Sequence, residues 1–209
     1  MPKLAPKTQQ ARREHILDAA ERCFVSKGFH PATMDGICRE AGVSPGALYK
    51  YFASKEELIA GLCEREKDRF GRELAKLAET SGFLGALRSL AEQYCCHEPI
   101  EKVRLHIEIN AEAGRNAQIA NTVRGIDKAV SSHLVHLLER DRELGRIAPE
   151  LPVEIIVRAI GAFGDGLFLR RSLDPDFDPK SIIPAMMTMI EALLAPVALT
   201  SPGKNRKDD

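Results

Sequence analysis

The stretch AGVSPGALYKYFASKEEL, residues 41–58, contains two helix starts in close succession. Ser44 is a good N-cap, and Pro45 after it occupies the first helical position, where a missing N–H costs nothing. Ser54 caps a longer helix, and Glu57 is placed to complete a capping box with it. The helix between these starts, to about Tyr51, is too short to bury a useful core face.

The residues before this stretch predict a second helix that meets the short one at a tight turn. Thr33 caps a helix that ends near Ala41, and Gly42 follows where the chain must turn. Two helices joined at Gly42-Val43-Ser44 fit a helix-turn-helix. Val43, with one apolar residue from each helix, is expected to fill the wedge between them.

The outward face of the short helix carries residues that suit contact with DNA. Gly46 and Ala47 let a helix N-terminus approach bases in the major groove, and tyrosine hydroxyls and a lysine suit phosphates. Lys55, in the first turn of the next helix, and Thr33 are placed to contact phosphates as well. The outward residues of the short helix are Ser44, Pro45, Gly46, Ala47, Tyr49, Lys50 and Tyr51.

Charge distribution agrees with a polyanion partner but does not require one. The 209-residue chain has a formal net charge of zero. Residues 1–55 hold nine Lys/Arg and five Asp/Glu, so the remainder is acidic. A basic N-terminal segment suits nucleic acid, although a solvated basic face would have the same composition.

The run TMDGICREAGVSPGALYKYFASKEELI, residues 33–59, resembles the DNA-binding signature of TetR-family transcriptional repressors. The resemblance covers about residues 10–60 and departs at Gly36, where the family has a bulkier residue, and at Cys38, where it has Ala. It implies an all-helical homodimer with a three-helix DNA-binding domain and a larger inducer-binding domain. By this resemblance the DNA-facing positions are Thr33, Ser44, Pro45, Gly46, Ala47, Tyr49, Lys50, Tyr51 and Lys55.

The rest of the chain predicts only helices, so the expected fold is all-α with about nine helices. The expected domains are residues 9–55, which bind DNA, and residues 56–197, with 1–8 and 198–209 flexible. Separate helices are expected to end near Glu79 and to begin near residue 83. The last helix is expected to start near Ser181, which leaves Pro184 in its first turn. The segment GDGLFLRRSL, residues 164–173, is similar to the penultimate helix of the choline-responsive branch, which supports the architecture but not choline as ligand.

The last two predicted helices carry a broad apolar face. It is either ordinary core or, by the family resemblance, half of a four-helix dimer interface. The residues assigned to this interface are Ile156, Ile160, Phe163, Leu167, Ile182, Met186, Met189, Ile190 and Leu193.

The middle helices carry polar side chains among apolar ones, which suits a small-molecule pocket. Partly buried polar residues satisfied by their neighbours would give the same pattern. The candidate ligand-binding residues are Tyr94, His97, His106, Asn110, His133 and Phe163.

These features predict a cytoplasmic homodimeric repressor, released from a palindromic double-stranded operator by an unknown small molecule. No cofactor, metal or membrane partner is expected, and the five cysteines are read as reduced core residues. A metal- or haem-responsive regulator is the alternative, because His133 and His136 share a helix face and Cys95, Cys96 or His97 would supply a further ligand from elsewhere in the chain. An enzyme is disfavoured because the sequence lacks GxSxG, HExxH and P-loop motifs.

Overall fold

Eight α-helices and one π-helical turn form the part of the chain that the computed structural model describes, residues 6–195. No strand occurs in that range, so the predicted all-α fold is confirmed. None of its helices is long and apolar enough to span a bilayer. The helices are α1 (Pro6–Lys27), α2 (Met34–Ala41), α3 (Pro45–Tyr49), α4 (Lys55–Glu92), α5 (Ile100–Ala113), α6 (Ala117–Glu143), α7 (Val153–Leu173) and α8 (Pro179–Leu194), with the π-helical turn at Gln93–His97.

The first core lies among α1, α2, α3 and the start of α4. Phe24, Ile37 and Leu48 are fully buried there, one from each of the first three helices. Leu105 from α5 and Ile119 from α6 belong to the same core. The N-terminal unit is therefore packed directly against the C-terminal helices.

Helix α4 links the two parts of the molecule. The Ser54 hydroxyl accepts the Glu57 N–H at 3.3 Å, while the Glu57 carboxylate accepts the N–H of Ala53 at 2.6 Å. The chain is helical up to Gly82 and again after it, so the break predicted between Glu79 and residue 83 is confirmed as a kink within α4. Gly82, with φ 69° and ψ 179°, breaks its regularity. The described range has eight α-helices when α4 is counted as one element, and the expected nine when α4 is divided at Gly82.

The second core joins the distal half of α4 with α6, α7 and α8. This core corrects the predicted dimer interface, because five of the nine residues assigned there are buried inside the protomer. A side chain already enclosed by its own chain cannot cover a partner. The five are Ile156, Ile160, Leu167, Met186 and Ile190; Phe163 and Leu193 are half-buried, and Ile182 and Met189 are exposed.

A different apolar stripe of α7 faces outward. Its members alternate at spacings of four and three residues, so they lie along one side of the helix. Ile155 is 47% exposed and Leu169 is 43% exposed, with small residues between them. The stripe is Ile155, Ala159, Ala162, Gly166, Leu169 and Leu173, and Ile182 and Met189 of α8 are exposed in the same way.

Two predicted helix starts were wrong. Pro6, Lys7 and Thr8 lie in α1, so they are not part of a flexible arm, and the other residues of the two predicted tails, 1–5 and 198–209, lie outside the described range. Helix α8 begins at Pro179, because the Asp178 carboxylate accepts the Lys180 N–H at 3.0 Å. Pro184 therefore lies inside the helix instead of in its first turn.

Candidate nucleic-acid interface

The turn between α2 and α3 is fixed by local backbone chemistry. The Thr33 hydroxyl accepts the Gly36 N–H at 3.1 Å and so caps α2. A Cβ at Gly36 would lie 3.1 Å from the same hydroxyl oxygen, which explains why a small residue suits this position. Gly42 adopts φ 62°, a left-handed conformation that glycine reaches without steric cost.

Helix α3 is one short element with a single anchoring side chain. Ser44 caps it by accepting the Ala47 N–H at 3.3 Å, and Pro45 occupies the first turn. Leu48 is completely buried and ties α3 to α1 and α2 through the first core. The other side of the helix is free to face a partner.

The outward side of α3 is open around its smallest residue. A Cβ built at Gly46 would meet no atom within 4 Å, so packing inside the protein does not require glycine there. Ser44, Pro45 and Lys50 are exposed, and Tyr49 is 51% exposed. The structure brings these predicted DNA-facing residues together on one surface.

Tyr51 is a correction to the predicted DNA-facing set. Its side chain packs against the first core, and its hydroxyl is buried without a hydrogen-bond partner among the described residues. The side chain points inward because Tyr51 follows the end of α3, where the chain returns toward Phe52, itself buried. The hydroxyl therefore does not lie on the outward surface where a phosphate would bind.

Lys55 is engaged by the protein itself. Its ammonium group donates to the carbonyl oxygens of Phe29 at 2.7 Å and His30 at 3.0 Å. It also lies 4.6 Å from the centroid of the Phe29 ring, within cation–π range. Lys55 thus joins α4 to the turn between α1 and α2, a role that the sequence pattern did not indicate. Thr33 is exposed at the start of α2.

Only two of the six predicted ligand residues are adjacent. The Asn110 amide lies 3.1 Å from the His106 ring nitrogen on α5. The His106 ring also contacts the ring of Phe168 on α7, with centroids 5.0 Å apart. Burial lowers the pKa of His106, while the nearby carboxylates of Asp165 and Asp127 oppose that shift.

The remaining four are dispersed. The Tyr94 hydroxyl donates to Glu73 at 3.0 Å, and burial raises its pKa to about 12. His97 and His133 are exposed on separate elements, and Phe163 packs against the second core. A polar residue satisfied by a neighbour, as Tyr94 is, was the plainer alternative for this group.

Three of the five cysteines are core residues: Cys23, Cys38 and Cys95 are buried, whereas Cys63 and Cys96 are half-buried. All five are free, and burial raises the pKa of Cys63 and of Cys95 to about 11. A thiol with so high a pKa is protonated at neutral pH, whereas metal binding and redox chemistry need the thiolate. Within the described range, no three His, Cys, Asp or Glu side chains are placed to hold a metal ion.

Comparison with known proteins agrees with this geometry. Residues 16–62 match the family model described as bacterial regulatory proteins of the tetR family, and residues 85–195 match the C-terminal model of BetI-type transcriptional repressors. The chain belongs to the TetR family. As a TetR-family member it is a DNA-binding transcription regulator, and the matched segments include both the α2–α3 unit and the C-terminal bundle.

Individual TetR-family relatives resemble the chain over most of its length. The transcriptional regulator UidR of Escherichia coli (strain K12) is 29% identical over 153 residues, 72% of this chain and 76% of UidR. The repressor Rv1474c of Mycobacterium tuberculosis is 24% identical over 91% of this chain and 97% of its own. The structure of Salmonella enterica GusR superposes with a TM-score of 0.76 at 27% identity, covering 88% of this chain and 95% of GusR.

Proposed function

We propose that this TetR-family protein is a homodimeric repressor that binds a palindromic operator through α3 and is released by a small molecule. In this proposal residues 9–55 bind DNA, and residues 56–197 bind the effector and form the dimer. The carrying observation is the surface of α3, where Gly46 has open space and Tyr49 and Lys50 are exposed. Such a surface suits a partner that approaches the backbone closely.

The chemistry of that surface fits the major groove. A helix that enters the groove by its N-terminal end needs small residues there, and Gly46 and Ala47 supply them. Tyr49 and Lys50 suit phosphate contacts, which position a protein on the duplex without reading its sequence. A dimer would place two such helices in successive grooves, so the expected operator has two inverted half-sites.

Substitution of Tyr49 tests the DNA-binding surface. A duplex selected from a random pool with the wild-type protein supplies the operator. Tyr49→Ala is expected to weaken its binding about tenfold, the loss of one good contact, without lowering the melting temperature. The matched control is Leu144→Ala, which truncates a similarly exposed side chain at the far end of α6. Equal affinity of the two variants would remove α3 from the proposed interface.

For the effector we propose a recess between α5, α6 and α7, around His106. The His106 side chain is exposed to solvent, and its ring packs against Phe168 of α7 with the centroids 5.0 Å apart. Asp127 and Asp165 face it, and neither forms an ion pair within residues 6–195. Burial and the nearby Asp165 raise the pKa of Asp127. Unpaired carboxylates beside an aromatic ring suit a ligand that donates hydrogen bonds or carries positive charge.

A further inference from the structure

The turn between α1 and α2 is held from two sides, by Lys55 at the start of α4 and by Glu108 of α5. The Phe29 N–H donates to the Glu108 carboxylate of α5 at 3.0 Å. Lys55 of α4 donates to the carbonyl oxygens of the same residue and of His30. Both polar groups of the Phe29 backbone therefore have partners from outside the turn.

A second carboxylate of α5 extends this contact. Glu112 is only 7% exposed, and its oxygen lies 3.1 Å from the His30 ring nitrogen. The Arg115 guanidinium donates to the same oxygen at 2.5 Å, and this bond holds the pKa of Glu112 below its ordinary value. A buried carboxylate is stable only when paired. The pairing therefore ties the end of α5 to the turn. We call Glu108 and Glu112, with their contacts to residues 28–30, the α5 grip.

The backbone of the turn fits the grip closely. Gly28 adopts φ +87°, and a Cβ at this residue would lie 3.3 Å from the Glu108 carboxylate. The turn leads within a few residues to Thr33, the cap of α2. A displacement of α5 is therefore expected to reach the start of the helix-turn-helix unit through these hydrogen bonds, in addition to the packing of Leu105 in the first core.

The opposite face of α5 points toward the proposed effector recess. His106 and Asn110 precede Glu108 and Glu112 by two positions each, and two residues turn an α-helix by about 200°. His106 contacts Phe168 of α7, whereas Glu108 contacts the DNA-binding unit. One helix therefore has a candidate ligand contact on one side and the grip on the other.

We propose that Glu108 and Glu112 are positioning residues, through which α5 sets the orientation of α2 and α3 for DNA binding. This role rests on the proposed DNA-binding function, although the grip itself does not. An effector that binds more tightly to a state with a shifted α5 would increase the population of that state. The orientation of α2 and α3 would then shift as well. A grip that only adds stability would leave the affinity for DNA unchanged.

Substitutions at Glu108 separate positioning from stability. Glu108→Ala removes the acceptor of the Phe29 N–H, whereas Glu108→Gln keeps an amide oxygen in its place. The alanine variant is expected to raise amide exchange over residues 28–33 and to weaken binding of the selected duplex about tenfold, the range of a hydrogen bond to a charged group. The glutamine variant is expected to restore both. Glu101→Ala, an exposed carboxylate on the same helix, is the matched control.

Three results would overturn the proposal. If amide exchange over residues 28–33 is unchanged in Glu108→Ala, the α5 grip does not hold the turn. If exchange is faster but the affinity for the duplex is unchanged, the grip has only a structural role. If the wild-type protein binds no duplex, the proposed function and the positioning role are both refuted. The amide-exchange data would still show whether the α5 grip holds the turn. If Glu108→Ala does not fold, Arg115→Ala replaces it, because that side chain is 65% exposed and its loss leaves Glu112 with only its contact to His30. The same two readouts then apply.

Discussion

Two tyrosines near α3 show how position decides the role of a side chain. Tyr49 and Tyr51 are separated by one residue, yet one is half exposed and the other has a buried hydroxyl. Although α3 ends at Tyr49, the Tyr51 N–H donates to the Leu48 carbonyl oxygen at 2.9 Å, so the backbone keeps turning and the two side chains point to nearly opposite sides. The sequence pattern predicted a phosphate contact for both tyrosines, and only Tyr49 is placed where it could make one.

Removal of the buried hydroxyl tests the second tyrosine. A buried polar atom without a partner costs stability, so Tyr51→Phe is expected to raise the free energy of unfolding by roughly 1 kcal/mol. Affinity for the selected duplex should stay at the wild-type value. Urea denaturation and a DNA titration measure the two quantities. Weaker DNA binding with intact stability would return Tyr51 to the DNA-binding surface.

At the scale of an element, the caps of α2, α3 and α4 formed as their sequences predicted. Thr33, Ser44 and Ser54 each accept a backbone N–H from within their own first turn. Each of these bonds joins residues three positions apart, so it can be predicted from the sequence. The partner of Glu57 differs by one residue from an ideal capping box, because the carboxylate reaches Ala53.

The cap of α4 gives a stability prediction. Ser54→Ala leaves the Glu57 N–H without its acceptor and should lower the free energy of unfolding by about 1 kcal/mol. Ser89→Ala is the matched control in the same helix, because the Ser89 hydroxyl only bonds back to the Gly85 carbonyl and its loss should be nearly neutral. Thermal and urea unfolding of both variants measure the difference. Equal stabilities would mean that solvent replaces the cap.

What the sequence could not reveal depends on contacts between distant residues. Glu108 meets Phe29, 79 positions away, and on its own helix it looks like an ordinary solvated carboxylate. Lys55 reaches the same turn across 26 positions, where a family pattern suggested a phosphate. Helical periodicity also failed to distinguish the stripe of α7 that enters the core from the stripe that remains uncovered. The helix caps could be predicted from neighbouring residues, whereas the side of each helix that packs in the core could not.

At the scale of the molecule, the uncovered stripe of α7 is the expected partner surface. Large apolar side chains at its ends and small ones between them allow a second copy of the helix to approach closely. Its 4-3 spacing suits the shallow crossing of a four-helix bundle. Exposed apolar stripes of this kind mark association sites in soluble proteins.

A charge placed on this stripe should separate the protomers. Ile155→Asp or Leu169→Asp is expected to shift the mass measured by light scattering from dimer to monomer, because an unpaired carboxylate is costly in an apolar contact. Leu144→Asp, an exposed apolar position away from α7, should leave the mass unchanged. A wild-type protein that is monomeric at micromolar concentration would contradict the dimer, whatever the variants do.

The break in α4 at Gly82 is a point at which that helix could bend, and the part before it would then act as a lever. From Lys55 to Gly82 the helix is about 40 Å long at its usual rise of 1.5 Å per residue. A tilt of about 5° at the glycine would carry the Lys55 end through about 3.5 Å, close to the roughly 3.4 Å between successive base pairs. In the proposed complex of a dimer with a palindromic operator, a change of a few degrees in each protomer would therefore shift both α3 helices by about one base pair along the DNA.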